Sequence, residues 1–432
     1  MIRRLTPLVL PVAFALAQEE ELEPLEIEGH SSPHHQEAKA FDQSQLGNTP
    51  SVHLDRLLQE NPSFGAYRRS DSGIAHPTSQ GVSLRGTGTS AASRSLILLD
   101  GVPLNDSFGG WIRWNRFSLG ELESVRFGGA SSFVSSAGTI LVQSRRPDKR
   151  PIHELRLATG DVHGFSADLF AATAAKKEDW DATASFRVED FSGHPVVRAS
   201  QRGPVDEDAW SRMRAARASI SRQLSMGRLT ARVAGFDEWR GNGTPLGRNQ
   251  GDGLDWSLQL NGETTDTILF GQERDFSSVF PKVAADRASE SVALDQYAVP
   301  AKSLGLVHQR RWEEGDHEYS FALSAIRREG HTHEENKFTN TIRRAGGRQT
   351  QVGASFTSTW NPAENWVLAT RLRTDWFRDD QGMRSGWTAT DETFPAREKV
   401  AAGGSLELGR KLSEALGARA ILRSHARQPT LN

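Results

Sequence analysis

A chain of 432 residues with 37% hydrophobic side chains and a mean hydropathy of −0.53 is too polar to be a bundle of membrane helices. Beyond its N-terminus it has no run of the ~18 apolar residues that a spanning helix needs. A net charge of −2 leaves no nucleic-acid footprint, and the lack of cysteine removes disulfides, thiol catalysis, Cys-ligated zinc and a lipoprotein anchor.

The first segment reads as a secretory signal peptide over residues 1–17. Arg3 and Arg4 precede an apolar stretch from Leu5 to Leu16, and Ala15-Leu16-Ala17 supplies a small-x-small cleavage site before an acidic run. Residues 18–44 are acidic and poor in apolar side chains, so they are expected to be extended or disordered. Within them Leu22, Glu23, Pro24, Leu25, Glu26, Ile27, Glu28 and Gly29 form a short alternating stretch able to add to the edge of a partner's sheet.

Residues 45–147 have the texture of a compact α+β domain. A helix is expected from Ser51, as its cap, to Gln59, because Val52, Leu54, Leu57 and Leu58 share one side and Asn61-Pro62 stops it. Strands are expected at 81–84, 95–99, 122–127 and 139–143, with Asp100-Gly101 as a tight turn.

From residue 148 to 432, strand-like segments of about ten residues alternate with polar loops. Phe165, Ala167, Leu169 and Ala171 share one face, as do Trp180, Ala182, Ala184, Phe186 and Val188. The clearest segment sets Trp366, Leu368, Thr370, Leu372, Thr374 and Trp376 opposite Val367, Ala369, Arg371, Arg373 and Asp375. At ~3.3 Å per residue and a tilt of ~40°, its two tryptophans stand roughly 25 Å apart in height, which is the apolar band of an outer-membrane barrel with an aromatic at each rim. The 11 Trp against 3 Tyr point the same way.

One series of motifs is specific. Ser79-Gln80-Gly81-Val82-Ser83-Leu84-Arg85-Gly86-Thr87-Gly88 is followed by Leu96-Ile97-Leu98-Leu99-Asp100-Gly101-Val102-Pro103-Leu104-Asn105-Asp106, then by Phe108-Gly109-Gly110-Trp111 and Gly128-Gly129-Ala130-Ser131-Ser132. Over about a hundred residues this series resembles the plug of TonB-dependent receptors of the bacterial outer membrane. The resemblance implies a mainly β protein: a transmembrane antiparallel β-barrel with an N-terminal α+β plug in its lumen. It makes residues 22–29 the TonB box. It assigns structural roles in the plug to Arg85, Gly86, Gly88, Asp100, Gly101, Pro103, Asp106, Gly109, Gly110, Gly128 and Gly129, with Arg85 as a buried contact facing a barrel carboxylate. The stretch from Leu122 to Arg146 departs from the family by lacking a few residues, with Arg126 in the region of a second plug arginine.

The last residues, Arg427 to Asn432, resemble a late barrel strand that the family continues for several more. Family barrels have 22 strands. The barrel portion is therefore expected to be partial, truncated at its C-terminus and open, with its first and last strands unpaired. Such a chain is expected to aggregate or be degraded when expressed alone.

The implied function is TonB-dependent active transport across the outer membrane of a Gram-negative-type bacterium, with ferric siderophores as the default substrate. Cobalamin or oligosaccharide uptake by the same family, or a non-functional truncated remnant, stay open. A passive porin or an adhesin would carry neither plug nor TonB box. The implied partners are TonB with ExbB and ExbD, a small ligand such as an iron chelate, and the outer membrane, with the receptor a monomer and no nucleic acid bound. Tyr67, Arg68, Arg69, Trp111, Arg113 and Trp114 are candidate substrate contacts at plug apices. No catalytic residue, cofactor or metal site is assigned. Gly86-Thr87-Gly88 lacks the Lys-Ser/Thr ending of a phosphate loop, and His34-His35 and His331-Thr332-His333 lack a third ligand.

Overall fold

The computed structural model describes residues 38–432 with the exception of 69, 71, 85–89, 94, 129–137, 148–149, 161–163, 176–179, 364, 387–389, 414–415, 425–429 and 432. The signal peptide and TonB box expected from the sequence lie outside the described residues.

The plug is built on a five-stranded sheet of β1 (Ala38–Asp42), β4 (Leu96–Leu99), β5 (Val102–Pro103), β6 (Leu122–Phe127) and β7 (Thr139–Ser144), in the order β1-β6-β7-β4-β5. A two-stranded piece joins β2 (Phe64–Ala66) to β3 (Val82–Leu84). β4 and β7 run parallel, with Ile97 opposite Ile140. β1 and the helix α1 (Gln43–Asn48) fall in or beside the segment expected to be a linker up to residue 44. Asp42 and Gln45 cap α1 reciprocally, and β1 pairs with β6, so the plug begins before 45. The helix expected over 51–59 is shorter, α2 (Leu54–Leu58), and its cap position is His53, which makes no side-chain cap bond. Ser51 therefore does not cap it.

Asp100 and Gly101 form the turn between β4 and β5 with φ of +47° and +85°, the doubly left-handed geometry of a tight hairpin. A Cβ on Gly101 would also stand 2.6 Å from Ile268. Leu46, Leu54, Leu58, Ile97, Ile112, Trp114, Phe117 and Ile140 fill the plug core with almost no exposure.

The second sheet is antiparallel and 15-stranded. Its strands are β8 (Ile152–Thr159), β9 (Phe165–Ala175), β10 (Trp180–Pro195), β11 (Asp208–Leu224), β12 (Gly227–Asn242), β13 (Arg248–Asn261), β14 (Thr265–Val283), β15 (Glu290–Ala298), β16 (Ala301–Glu314), β17 (His317–Asn336), β18 (Thr341–Ala363), β19 (Trp366–Ser385), β20 (Glu392–Phe394), β21 (Arg397–Lys411) and β22 (Gly417–Ser424). Neighbours in sequence pair as hairpins, except where β14 and β17 each split their partner between β15 and β16 and where β20 sits beside β19. β8 and β22 end the sheet and are not partners among the described residues, as expected.

Side chains alternate between faces. One face exposes Leu155, Leu169, Phe186, Ile220, Val233, Leu258, Leu306, Leu323, Val352 and Leu372. The other turns Arg187, Glu189, Glu238, Arg240 and Arg274 toward the plug and buries them. Two apolar patches cross from plug to sheet: Leu98 and Val102 meet Ile268, Phe270, Val307 and Ile326, and Phe108 and Trp111 meet Phe276, Val299 and Ala301.

Candidate functional site

The seam between plug and sheet is made largely by the loop from Leu104 to Glu121. Asp106 stiffens its start by accepting from the amides of Phe108 and Gly109, each at 2.9 Å. Asn105 accepts from the Ile97 amide at 3.0 Å and donates to the Ser95 carbonyl at 3.1 Å. A Cβ on Gly109 would run into the Trp111 ring, so a larger residue there would have to push the indole aside. Trp114 anchors the middle of the loop in the core, edge-on to Phe64 with ring centroids 6.0 Å apart.

Around that anchor, the polar residues of the loop meet charged residues of the strands. Glu238 on β12 accepts from Arg113, from Asn115 Nδ2 at 2.8 Å and from its own neighbour Arg240. Asp255 on β13 accepts from Arg116 at 2.7 Å and from Arg274 on β14. Arg187 on β10 donates to both oxygens of Asp168 at 2.7 Å, to Glu189 at 2.7 Å and to the Asn115 carbonyl at 2.8 Å. Glu189 in turn holds the His53 ring at 2.6 Å. Glu121 of the plug accepts from Arg217 at 2.6 Å and from Ser185.

Most of these groups are buried, with Asp255 and Arg217 partly so, and each charge relies on its partner for solvation. Burial pulls the Arg116 guanidinium down to about 10 despite the Asp255 carboxylate beside it. Burial alone would also lower His53, but the Glu189 carboxylate outweighs it and holds the imidazole above its ordinary value. His76, against Phe276 and Phe280, is pushed down to about 4 by burial and then by the Arg240 and Arg113 charges.

Of the residues assigned from the sequence, Arg85, Gly86, Gly88, Gly129, Arg69 and residues 22–29 lie outside the described residues. Arg113 and Arg116 make buried plug–sheet contacts of the kind expected of Arg85. Asp100 accepts from the Ser144 amide at 3.0 Å and pairs with Arg232 of β12 at 3.1 Å. Pro103 offers its carbonyl to Gln272 of β14, and Gly110 and Gly128 have φ of +71° and +98°. The candidate substrate contacts are not brought together on an open surface. Arg68 is buried on Asp55 at 2.8 Å, Trp111 lies against Phe276, Arg113 on Glu238 and Trp114 in the core. Among the described members of that set only Tyr67, at 51%, is exposed.

Sequence reasoning missed Arg187, Glu189, Glu238, Asp255 and His53. A signal was present: Arg187 and Glu189 interleave with Phe186 and Val188, so ionised residues occupy the face opposite the apolar one.

Residues 34–140 match the model of the TonB-dependent Receptor Plug Domain family. No curated protein matches in sequence. Solved structures do match in fold. The ferric yersiniabactin uptake receptor FyuA from Yersinia pestis superposes with a TM-score of 0.63 at 14% identity, over 87% of this chain and 62% of that one. The copper transporter OprC gives 0.65 at 14% identity, over 87% and 62%. The FrpB iron transporter from Neisseria meningitidis gives 0.66 at 13% identity, over 90% and 64%. The chain thus spans a little over three-fifths of the length of these receptors. It has the build of a TonB-dependent receptor, a plug domain set against a β-barrel sheet.

Proposed function

We propose that this chain acts in TonB-dependent import across the bacterial outer membrane, with a ferric siderophore as cargo. The observation that carries the proposal is the seam itself. A plug fastened to the inner face of the sheet by Arg113–Glu238, Arg116–Asp255 and Arg187–Asn115 fills the space a porin would leave open. Passage then requires the plug to shift, which needs work supplied from outside the barrel. The exposed apolar face, from Leu155 to Leu372, supports residence in a membrane. Iron chelates are proposed over other cargoes because FyuA is a ferric yersiniabactin receptor and FrpB an iron transporter; OprC, a copper transporter, makes another metal the second candidate.

In this proposal residues 1–17 are cleaved, residues 22–29 engage TonB by strand addition, and Tyr67 with neighbouring plug-apex residues faces the ligand. The test is growth on single iron chelates of a Gram-negative host stripped of its own receptors, with and without TonB. Growth that depends on both this chain and TonB is the expected result; uptake that persists without TonB would overturn it. Capture of TonB's C-terminal domain by the 18–44 peptide, lowered by Ile27→Pro, checks the partner separately.

A further inference from the structure

The exposed face of the sheet carries the same cross-strand pair twice. Trp180, the first residue of β10, stands opposite Arg222 of β11, and the guanidinium lies 5.1 Å from the indole centroid. Trp366, the first residue of β19, stands opposite Arg410 of β21 at 4.7 Å. Both pairs sit at the end of the sheet where short turns join the hairpins, and both share a face with exposed apolar residues, Phe186 and Ile220 in one case and Leu372 and Leu408 in the other.

The opposite end of the same face supplies the contrast. There Arg212 lies over Trp210 and pairs with Asp190 at 3.2 Å, and Arg214 lies over Trp239 with Asp237 directly across the ladder. Arg212 is thus paired with a carboxylate, and Arg214 has one directly opposite in the ladder. Among the described residues Arg222 and Arg410 have no carboxylate opposite them in the ladder: Arg222 stands between Trp180 and Leu229, and Arg410 between Trp366 and Ala418. Each is an arginine held on an indole at the border of an apolar band.

We propose that the Trp180–Arg222 and Trp366–Arg410 pairs are docking points for anionic phospholipid headgroups of the periplasmic leaflet. The indole lies at headgroup level, and the guanidinium fork matches a phosphate in a way that an ammonium does not. This rests on the reading that the sheet spans the outer membrane.

The test folds the full chain from urea into phosphatidylcholine vesicles with and without phosphatidylglycerol, then extracts it and measures retained lipid by native mass spectrometry. Wild type is expected to retain phosphatidylglycerol over phosphatidylcholine, and R222Q and R410Q each to lower that preference by about five-fold. R222K and R410K should restore it only in part. R214Q, at the end where a carboxylate faces the arginine, should leave it unchanged. Single variants keep the test readable if the double variant does not fold. A chain that inserts equally into both vesicles and retains both lipids alike overturns the headgroup proposal while leaving the membrane reading intact. A chain that enters neither, the behaviour expected of an open sheet expressed alone, overturns the headgroup proposal.

Discussion

Inside the plug, Leu54, Leu58, Ile97, Ile112, Trp114 and Phe117 pack as one apolar cluster, with charge only at its margins, where Arg116 lies over the Phe117 ring and Arg68 is held on Asp55. At the seam the same plug faces the sheet through Arg113, Arg116, Glu121 and His53, each set on an opposite charge. The two surfaces are about equally dry but differ in how they fail. An apolar core loses stability in proportion to the area opened. A buried ion pair contributes little net stability over an apolar pair of similar shape, yet is costly to leave half-made. The interior therefore holds the plug together, while the seam fixes its position and can come apart as a set when water replaces every partner at once.

Truncating the core should have the largest effect. Trp114→Ala is expected to cost about 3–5 kcal/mol, read as a lower urea midpoint for the plug's tryptophan and far-ultraviolet signals. Breaking the seam at one node comes next. Glu238→Ala leaves Arg113 and Arg240 buried without their carboxylate, at about 3 kcal/mol. It should raise protease cleavage in the loop from Leu104 to Glu121 more than it shifts plug unfolding; equal shifts would show that the two regions are one cooperative unit.

The histidines separate the regions by pH. His76 stays neutral in the fold down to about 4 while the unfolded chain protonates near 6.5, so stability falls as pH drops through that window, by roughly 1 kcal/mol per unit. His53 runs the other way. Its raised value adds stability that is present below ~6.5 and lost as pH rises through the folded value. H76Q should flatten the acid limb of a stability profile and H53Q the neutral one. The smallest effect is expected on the exposed face: Arg212 and Asp190 are 63% and 54% exposed, and Arg212→Ala should change stability by less than about 1 kcal/mol.

Much of the architecture could be read in the sequence because it depends on local rules. The alternation from Trp366 to Trp376 is a property of consecutive residues, and Asp100-Gly101 needs its left-handed turn whatever surrounds it. The strand at Leu122–Phe127 matches its expected bounds for the same reason. The acidic texture of residues 18–44 hid β1, since its pairing with β6 is decided some 85 residues later. The helix expected over 51–59 is too long because Val52 fits an apolar stripe, whereas the Val52 carbonyl accepts from Arg187. The seam was the least legible part. Arg113 finds Glu238 125 residues along the chain, and neither residue's neighbours announce the other.

That separation also bears on the order of assembly. The hairpin β11–β12 closes through a turn of two residues, Ser225 and Met226, so its ladder can zip from one end with little loop entropy. Glu238 and Asp255 reach the plug only when β12, β13 and the loop from Leu104 to Glu121 are all in place. Contacts that distant form late and slowly. The hairpins are thus expected to be the early kinetic units and plug docking the slow phase, so a seam variant such as Glu238→Ala should leave the fast phase untouched and appear mainly in the last one.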